Sequence, residues 1–319
     1  MRIPVEHETI LREALRAPSA HNAQPWRLRR CAGVRGAGGY ELHYDHLDYL
    51  PHDPDDRDAY LAIGGFLETL DLAAQRHGHR STVEPRFERT GSDLFVGVIR
   101  LRPALPGEPV DPLAGPAARR CTNRCRYDRS ELPDLLRREL VAMGCVLVDP
   151  ARMARLVARA SELSWRDRRF VTDLDRWMSG DPAAPAGMTP AGLQLARYEW
   201  LALRVALRIG RLPGPVARLF AGRDVRLLAT ARAVSVLGAT DLSTATLVDA
   251  GRRLLRCWVA ITAAGFACHP ISIAVDRPET APLVADAAGV PVPVAVFRIG
   301  RPTRPAPESN RRPLADVLS

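Results

Sequence analysis

Apolar residues recur at helical spacing in several stretches of the chain. Val5, Ile10, Leu11 and Leu15 share one face of 5–16, which predicts a helix that Pro18 ends. A longer helix is predicted over 53–78, where aspartates at the start suit the positive end of the helix dipole. Further helices are predicted from 133, from 151 and over 246–265.

Shorter apolar runs between these helices predict strands. The stretches are 26–30, 39–45, 81–88, 93–101, 145–148, 234–238 and 292–300. Glycines predict a turn over 33–39. The two halves of the chain share one order: helix, polar loop, strand, helix, strand.

Prolines and glycines divide the chain. They concentrate around 106–118, which predicts a linker between an N-terminal half, 1–105, and a C-terminal half, 119–319. The stretch 172–230 is less regular, and we expect it to be an insertion in the second half.

Composition narrows the classes of protein that fit. The 319 residues are 46% hydrophobic, which suffices for a buried core, and the net charge is +9. All 45 basic residues are arginine and lie scattered, so nucleic acid is not an expected partner. Arginine interrupts the longest apolar runs, so we expect no membrane partner. Six cysteines and the absence of a signal peptide predict a cytoplasmic protein.

Residues 17–28, APSAHNAQPWRL, form the first candidate site. Two prolines stiffen the loop, and between them Ser19, His21, Asn22 and Gln24 offer hydrogen-bonding groups without fixed charge. A flat heteroaromatic ligand with C=O and N–H edges needs such a set. The alternative is a polar turn that caps the following strand.

Arginines form the second candidate site. In RRCTNRC, 119–125, three arginines surround Thr122, and guanidinium groups match phosphate oxygens in geometry and charge. The alternative is a solvated basic turn. Arg311 and Arg312 form a further basic pair near the C terminus. Neither the cysteines nor His43, His46 and His52 have the spacing of a known metal framework, so no metal site is predicted.

Taken together, these motifs resemble the nitroreductase superfamily of FMN enzymes. PSAHNAQPW resembles that family's PSxxNxQPW signature, and Arg120–Arg124, RCTNR, resembles its RxSxR phosphate motif. GFACHPIS, 265–272, resembles the loop that lies along the flavin ring. VPVAVFRIGRP and NRRPLADVL resemble the strand and the basic segment that close the fold.

The order of the motifs is reversed relative to an ordinary nitroreductase. The resemblance therefore implies two fused nitroreductase-like halves, an α+β pseudo-dimer within one chain, with one surviving FMN site. This organisation resembles the Acg-type group of actinobacterial nitroreductase-like proteins, in which 172–230 is expected to fold over the flavin as a lid. The fused chain is expected to act as a monomer or a homodimer.

The resemblance also implies which residues bind FMN. They are Ser19, His21, Asn22, Gln24, Arg120, Thr122, Arg124, Pro270, Ile271, Ser272, Arg311 and Arg312. His21 is the one candidate for a catalytic role, with structuring of the loop as its alternative. Ser272 and Ile273 stand where typical members have Glu-Gly.

The implied function is that of an FMN-dependent oxidoreductase. A hydride would pass through flavin N5 between NAD(P)H, or another donor, and a small organic substrate such as a nitro compound, a quinone or an activated alkene. The alternative is a protein that stores FMN under a lid, with little NAD(P)H turnover.

Overall fold

A computed structural model describes residues 4–31, 39–45, 53 and 55–319. Long helices alternate with short strands along most of the chain. The helices are α1 Val5–Ala14, α2 Arg57–Arg76, α3 Ala114–Ala117, α4 Asp134–Ala142, α5 Pro150–Trp165, α6 Arg168–Arg176, α7 Arg197–Ile209, α8 Gly214–Leu228, α9 Thr244–Ala263, α10 Ala281–Ala288 and α11 Leu314–Val317. In these described residues, no helix combines the length and apolarity needed to cross a bilayer.

The strands form two antiparallel sheets of four strands each. They are β1 Trp26–Cys31, β2 Gly39–Asp45, β3 His79–Thr90, β4 Asp93–Pro103, β5 Cys145–Val148, β6 Ala233–Ala239, β7 Ala267–Pro270 and β8 Val292–Gly300. The first sheet has the order β1-β2-β4-β3 and the second β5-β6-β8-β7. Counted within its own half, each sheet therefore has the order 1-2-4-3. The expected α+β fold of two similar halves is confirmed.

Two 20-residue helices, α2 and α9, pack against each other between the sheets. Gly64 and Gly251 lie at the crossing. A Cβ atom on Gly64 would collide with the carbonyl oxygen of Val248, and one on Gly251 with that of Leu61. Glycine at both positions lets the two backbones approach closely, and the surrounding side chains form one continuous core.

The C-terminal tail returns from the second half to the first. Leu314 and Val317 of α11 lie in the core shared with α1 and β1. Beyond them, Ser319 donates its backbone N–H to Leu28 and accepts one from Arg30, both at 3.0 Å. The tail thus covers the outer edge of β1, which would otherwise present unpaired backbone groups.

Most predicted elements agree with the structure to within a few residues. The strands over 39–45, 145–148 and 292–300 match the structure at both ends. The predicted turn over 33–39 lies mostly outside the described residues, as do His46 and His52. The predicted linker is not extended: within it, Asp111 pairs with Arg256 at 2.9 Å, and Ala114 packs against Leu72 and Leu255.

The close approach of α2 and α9 yields a stability prediction. Gly251→Ala should lower the free energy of unfolding by about 1–3 kcal/mol, because the added methyl group forces the two helices apart. Urea denaturation measures the change. Gly115→Ala in α3 is the control, since its added Cβ would meet nothing within 4 Å. An unchanged midpoint in Gly251→Ala would refute the tight crossing.

Candidate functional site

The polar loop between α1 and β1 has an unusual backbone. His21, Asn22 and Gln24 adopt positive φ angles of 51°, 58° and 55°. This conformation costs side-chain-bearing residues of order 1–3 kcal/mol each, and it persists where surrounding contacts enforce it. The Ser19 hydroxyl, which accepts from the backbone N–H of Gln24 at 3.0 Å, is one such contact.

The two amide side chains of the loop bind other parts of the chain. Gln24 is fully buried; it donates to the carbonyl of Pro185 at 2.8 Å and accepts from the backbone N–H of Arg312 at 2.9 Å. Asn22 donates to the carbonyl of Gly187 at 3.3 Å and accepts from Arg311 at 3.0 Å. The amides therefore join the loop to the C-terminal tail and to a segment beyond α6.

The predicted arginine motif runs beside β7. Thr122 pairs with Cys268 in a parallel β-bridge, and the backbone N–H of Asn123 donates to the carbonyl of Cys268 at 3.0 Å. This pairing turns Arg120 and Arg124 toward the polar loop of the other half. Arg120 is 8% exposed and donates to the carbonyl of Arg16 at 3.1 Å.

Arg311 reaches the same place from the C-terminal tail. It donates to the carbonyls of Arg16 at 3.0 Å and Ala17 at 3.2 Å, besides its bond to Asn22. The carbonyl oxygen of Arg16 thus accepts from both Arg120 and Arg311, whose positions are far apart in sequence. The Arg16 carbonyl, just after α1, thereby holds guanidinium groups of the second half beside the polar loop of the first half.

These groups enclose a cavity of about 90 Å³. Its lining includes most of the predicted polar residues: Ser19, His21, Asn22, Arg120, Thr122, Arg124 and Arg311. It also includes Arg16, Glu308 and Asn310, which the sequence motifs did not single out.

A segment that we call the strap, residues 181–195, covers one side of the cavity. Its backbone carbonyls accept hydrogen bonds from site side chains: Gly192 from Arg124 at 2.8 Å, and Pro182 from Asn310 at 2.7 Å. Gln194 accepts from the backbone N–H of Arg124 through its side-chain amide oxygen. The predicted insertion is thus in part a covering segment, while its remainder forms α7 and α8.

The cavity is strongly cationic. Burial, with the nearby guanidinium groups of Arg120 and Arg16, lowers the pKa of Arg311 to about 9. Burial and Arg223 lower the pKa of Arg124 to about 10, and burial lowers the pKa of Arg120 as well. Within the described residues, Arg120 Nη1 and Arg311 Nε are buried without a hydrogen-bond partner. Buried guanidinium nitrogens without a hydrogen-bond partner favour a bound anion.

Five predicted residues do not line the cavity: Gln24, Pro270, Ile271, Ser272 and Arg312. The Ile271 side chain is buried in the core of the second half. The Ser272 hydroxyl accepts from the backbone N–H of Val296 at 3.2 Å, and Pro270 ends β7. Arg312 holds Gln24 through its backbone rather than reaching the cavity.

Sequence reasoning missed Arg16, Gln194 and Asn310. Arg16 directly precedes APSAHNAQPW, so its position next to the motif could have marked it. Gln194 is harder to identify from the sequence than Arg16. It has a positive φ of 53°, which no local pattern in the strap indicates. Asn310 precedes the basic pair that the sequence did mark.

Segments of both halves thus enclose a cationic cavity under a strap. Two curated proteins are similar to this chain along most of its length. Two proteins of Mycobacterium tuberculosis, "Putative NAD(P)H nitroreductase MT3217" from strain CDC 1551 / Oshkosh and "Putative NAD(P)H nitroreductase Rv3131" from strain H37Rv, are each 29% identical to this chain. Each alignment covers 97% of this chain and 90% of the relative. The resemblance to the nitroreductase superfamily is confirmed, whereas the Acg-type organisation stays a prediction.

Other comparisons add less. No established family profile matches the chain. A structure from Anabaena variabilis titled as that of "a putative nitroreductase" is 11% identical, with a TM-score of 0.49, over 95% of this chain and 90% of its own. The FMN-dependent nitroreductase NfnB from Mycobacterium smegmatis, in complex with NADPH, is 19% identical, with a TM-score of 0.38, over 64% of this chain and 96% of its own. At these scores neither structure carries an argument.

The cationic cavity predicts binding of simple anions. Inorganic phosphate should raise the melting temperature by about 2–4 °C at roughly tenfold its Kd, since it binds the folded state alone. In Arg120→Met this shift should shrink, because a buried guanidinium is lost from the cavity. Differential scanning calorimetry measures both proteins.

Arg138→Met, on the exposed side of α4, is the matched control and should keep the full shift. An equal phosphate effect in Arg120→Met and in the unmodified protein would show that phosphate binds elsewhere.

Proposed function

We propose that the chain is an FMN-dependent oxidoreductase of the nitroreductase superfamily. The observation that carries the proposal is the group of buried arginines that meets the PSAHNAQPW loop at one cavity. The names of both mycobacterial relatives include NAD(P)H, which supports NAD(P)H as the reductant.

The residues fit the phosphate end of FMN. Arg120 and Arg124 come from the arginine motif and Arg311 from the C-terminal tail; all three line one cavity, and two of their nitrogens lack partners within the described chain. Arginine forks bind phosphate through paired, charge-assisted hydrogen bonds. We infer that these three arginines, with Thr122, hold the phosphate.

The polar loop would hold the rest of the cofactor. Ser19, His21 and Asn22 line the cavity, and the positive φ angles of His21 and Asn22 keep their backbone groups in a fixed arrangement. Pro270, Ile271 and Ser272 stay proposed as contacts to the ring, although they do not line the cavity described here. When bound, FMN supplies the hydride chemistry at N5.

The chain's own contribution to the reaction is binding, orientation and exclusion of water. His21 is the proposed proton-holding group, since it is the histidine that lines the cavity. The substrate class that we propose is a small organic acceptor, such as a nitro compound, a quinone or an activated alkene.

The strap favours a second candidate function, which is storage of FMN. The cavity of about 90 Å³ is well below the roughly 300–1,000 Å³ typical of small-molecule pockets. It can enclose a phosphate, so the flavin ring would require the strap to move. A strap that stays closed over bound FMN would keep NAD(P)H from the ring.

An anaerobic absorbance spectrum separates the two candidates. The purified protein, loaded with FMN, is measured before and after NADPH and then NADH. Rapid loss of the visible flavin band indicates an oxidoreductase that nicotinamide reduces. A band that persists with both nucleotides and is lost with dithionite indicates storage, or a different donor. Failure to bind FMN at all would refute both.

The proposed phosphate contact predicts a defect in flavin retention. Arg124→Ala should purify with little FMN and bind added FMN at least tenfold more weakly, because a charge-assisted contact contributes about 1.5–3 kcal/mol. Flavin absorbance per protein and fluorescence titration measure the effect. Arg138→Ala is the control with an exposed arginine removed. Full flavin occupancy in Arg124→Ala would contradict the assignment.

A further inference from the structure

An apolar surface runs along the outer side of α7 and α8, remote from the cavity lining. We call it the apolar face and define it by Tyr198, Leu201, Val205, Ile209, Val216 and Leu219. Tyr198 is 76% exposed, Leu201 65% and Leu219 67%. The spacing of its four α7 members, at 198, 201, 205 and 209, places them on one stripe of the helix.

The fold does not need this face for its own core. The opposite sides of the same helices bury Leu203, Leu207 and Ala217 in a cluster with Trp165. α8 also packs along α5. The two helices are therefore anchored from one side, and the apolar face adds exposed area that folding does not explain. Contiguous exposed apolar surface of this kind marks interaction sites.

Positive charge surrounds the apolar face. Arg197, Arg208, Arg211 and Arg218 are exposed, and none of them forms an ion pair with a described residue. The acidic residues of the two helices are engaged elsewhere: Glu199 accepts from Arg223, and Asp224 from Ser161. A second copy of this chain would set arginine against arginine, whereas an anionic partner would complement the rim.

We propose that the apolar face docks on the surface of a bilayer that contains anionic phospholipid. The 13 and 15 residues of α7 and α8 correspond to about 20 Å of helix each, and the exposed apolar side chains lie along α7 and at the start of α8. Short apolar groups can enter the headgroup boundary while the flanking arginines bind lipid phosphates.

This docking is peripheral, whereas the expectation of no membrane partner concerned a membrane-spanning segment. It does not depend on the proposed flavin chemistry. The apolar face is close to the strap in sequence, because α7 begins two residues after the strap ends.

Vesicle flotation tests the proposal. The protein is mixed with vesicles of phosphatidylglycerol and phosphatidylcholine in equal parts, or of phosphatidylcholine alone, at low and high salt. We expect it to float with the mixed vesicles, to float less at high salt, and to stay behind with phosphatidylcholine alone. Failure to float with the mixed vesicles at low salt would overturn the proposal.

Two double variants locate the contact. Leu201→Ser with Ile209→Ser removes apolar groups, and Arg208→Gln with Arg211→Gln removes charge; each should weaken vesicle partitioning at least tenfold. Leu135→Ser with Arg138→Gln on α4 is the matched control, since Leu135 is 62% exposed. Circular dichroism checks that all variants fold.

Three other outcomes would also overturn the proposal. The first is vesicle binding that none of the variants alters, which would indicate general attraction by a basic protein. The second is equal loss of binding in the α4 control. The third is a dimer in sedimentation velocity that Leu201→Ser with Ile209→Ser dissolves while vesicle binding persists, which would assign the face to a second copy.

Discussion

The close contact of α2 with α9 is the constraint on which the rest of the structure depends. The two helices belong to different halves. Along the chain, α2 lies between β2 and β3, and α9 lies between β6 and β7. Because Gly64 and Gly251 let the backbones nearly touch, the two halves share one core instead of meeting at a polar interface. The position of every site residue is set relative to this crossing.

The site forms where this shared core reaches the surface. The polar loop comes from the first half, the arginine motif from the second, and the tail supplies Arg311 before it reaches β1. The carbonyl oxygen of Arg16, just beyond α1, accepts hydrogen bonds from Arg120 and Arg311. One backbone group therefore positions guanidinium groups from separate segments. The desolvation cost of those charges is the strongest physical indication of an anionic ligand.

Much of this arrangement was predictable because local patterns determine it. Helical periodicity located α2 and α9, short apolar runs located most strands, and the motifs marked Asn22, Arg124 and Arg311. The features that could not be predicted from the sequence depend on tertiary structure. The covering role of the strap comes from backbone carbonyls, which leave no trace in residue type. Gln24 resembled a ligand contact in sequence, yet its amide is used to join loop, strap and tail.

The C-terminal tail contributes both to the candidate site and to the protection of a strand edge. Ser319 and Leu318 cover the edge of β1, and a few residues earlier the same segment places Arg311 at the cavity. Detachment of the tail would therefore empty the site of one cation and, in the same event, expose a free strand edge. Ligand occupancy, by holding Arg311, would protect the protein against edge-to-edge aggregation.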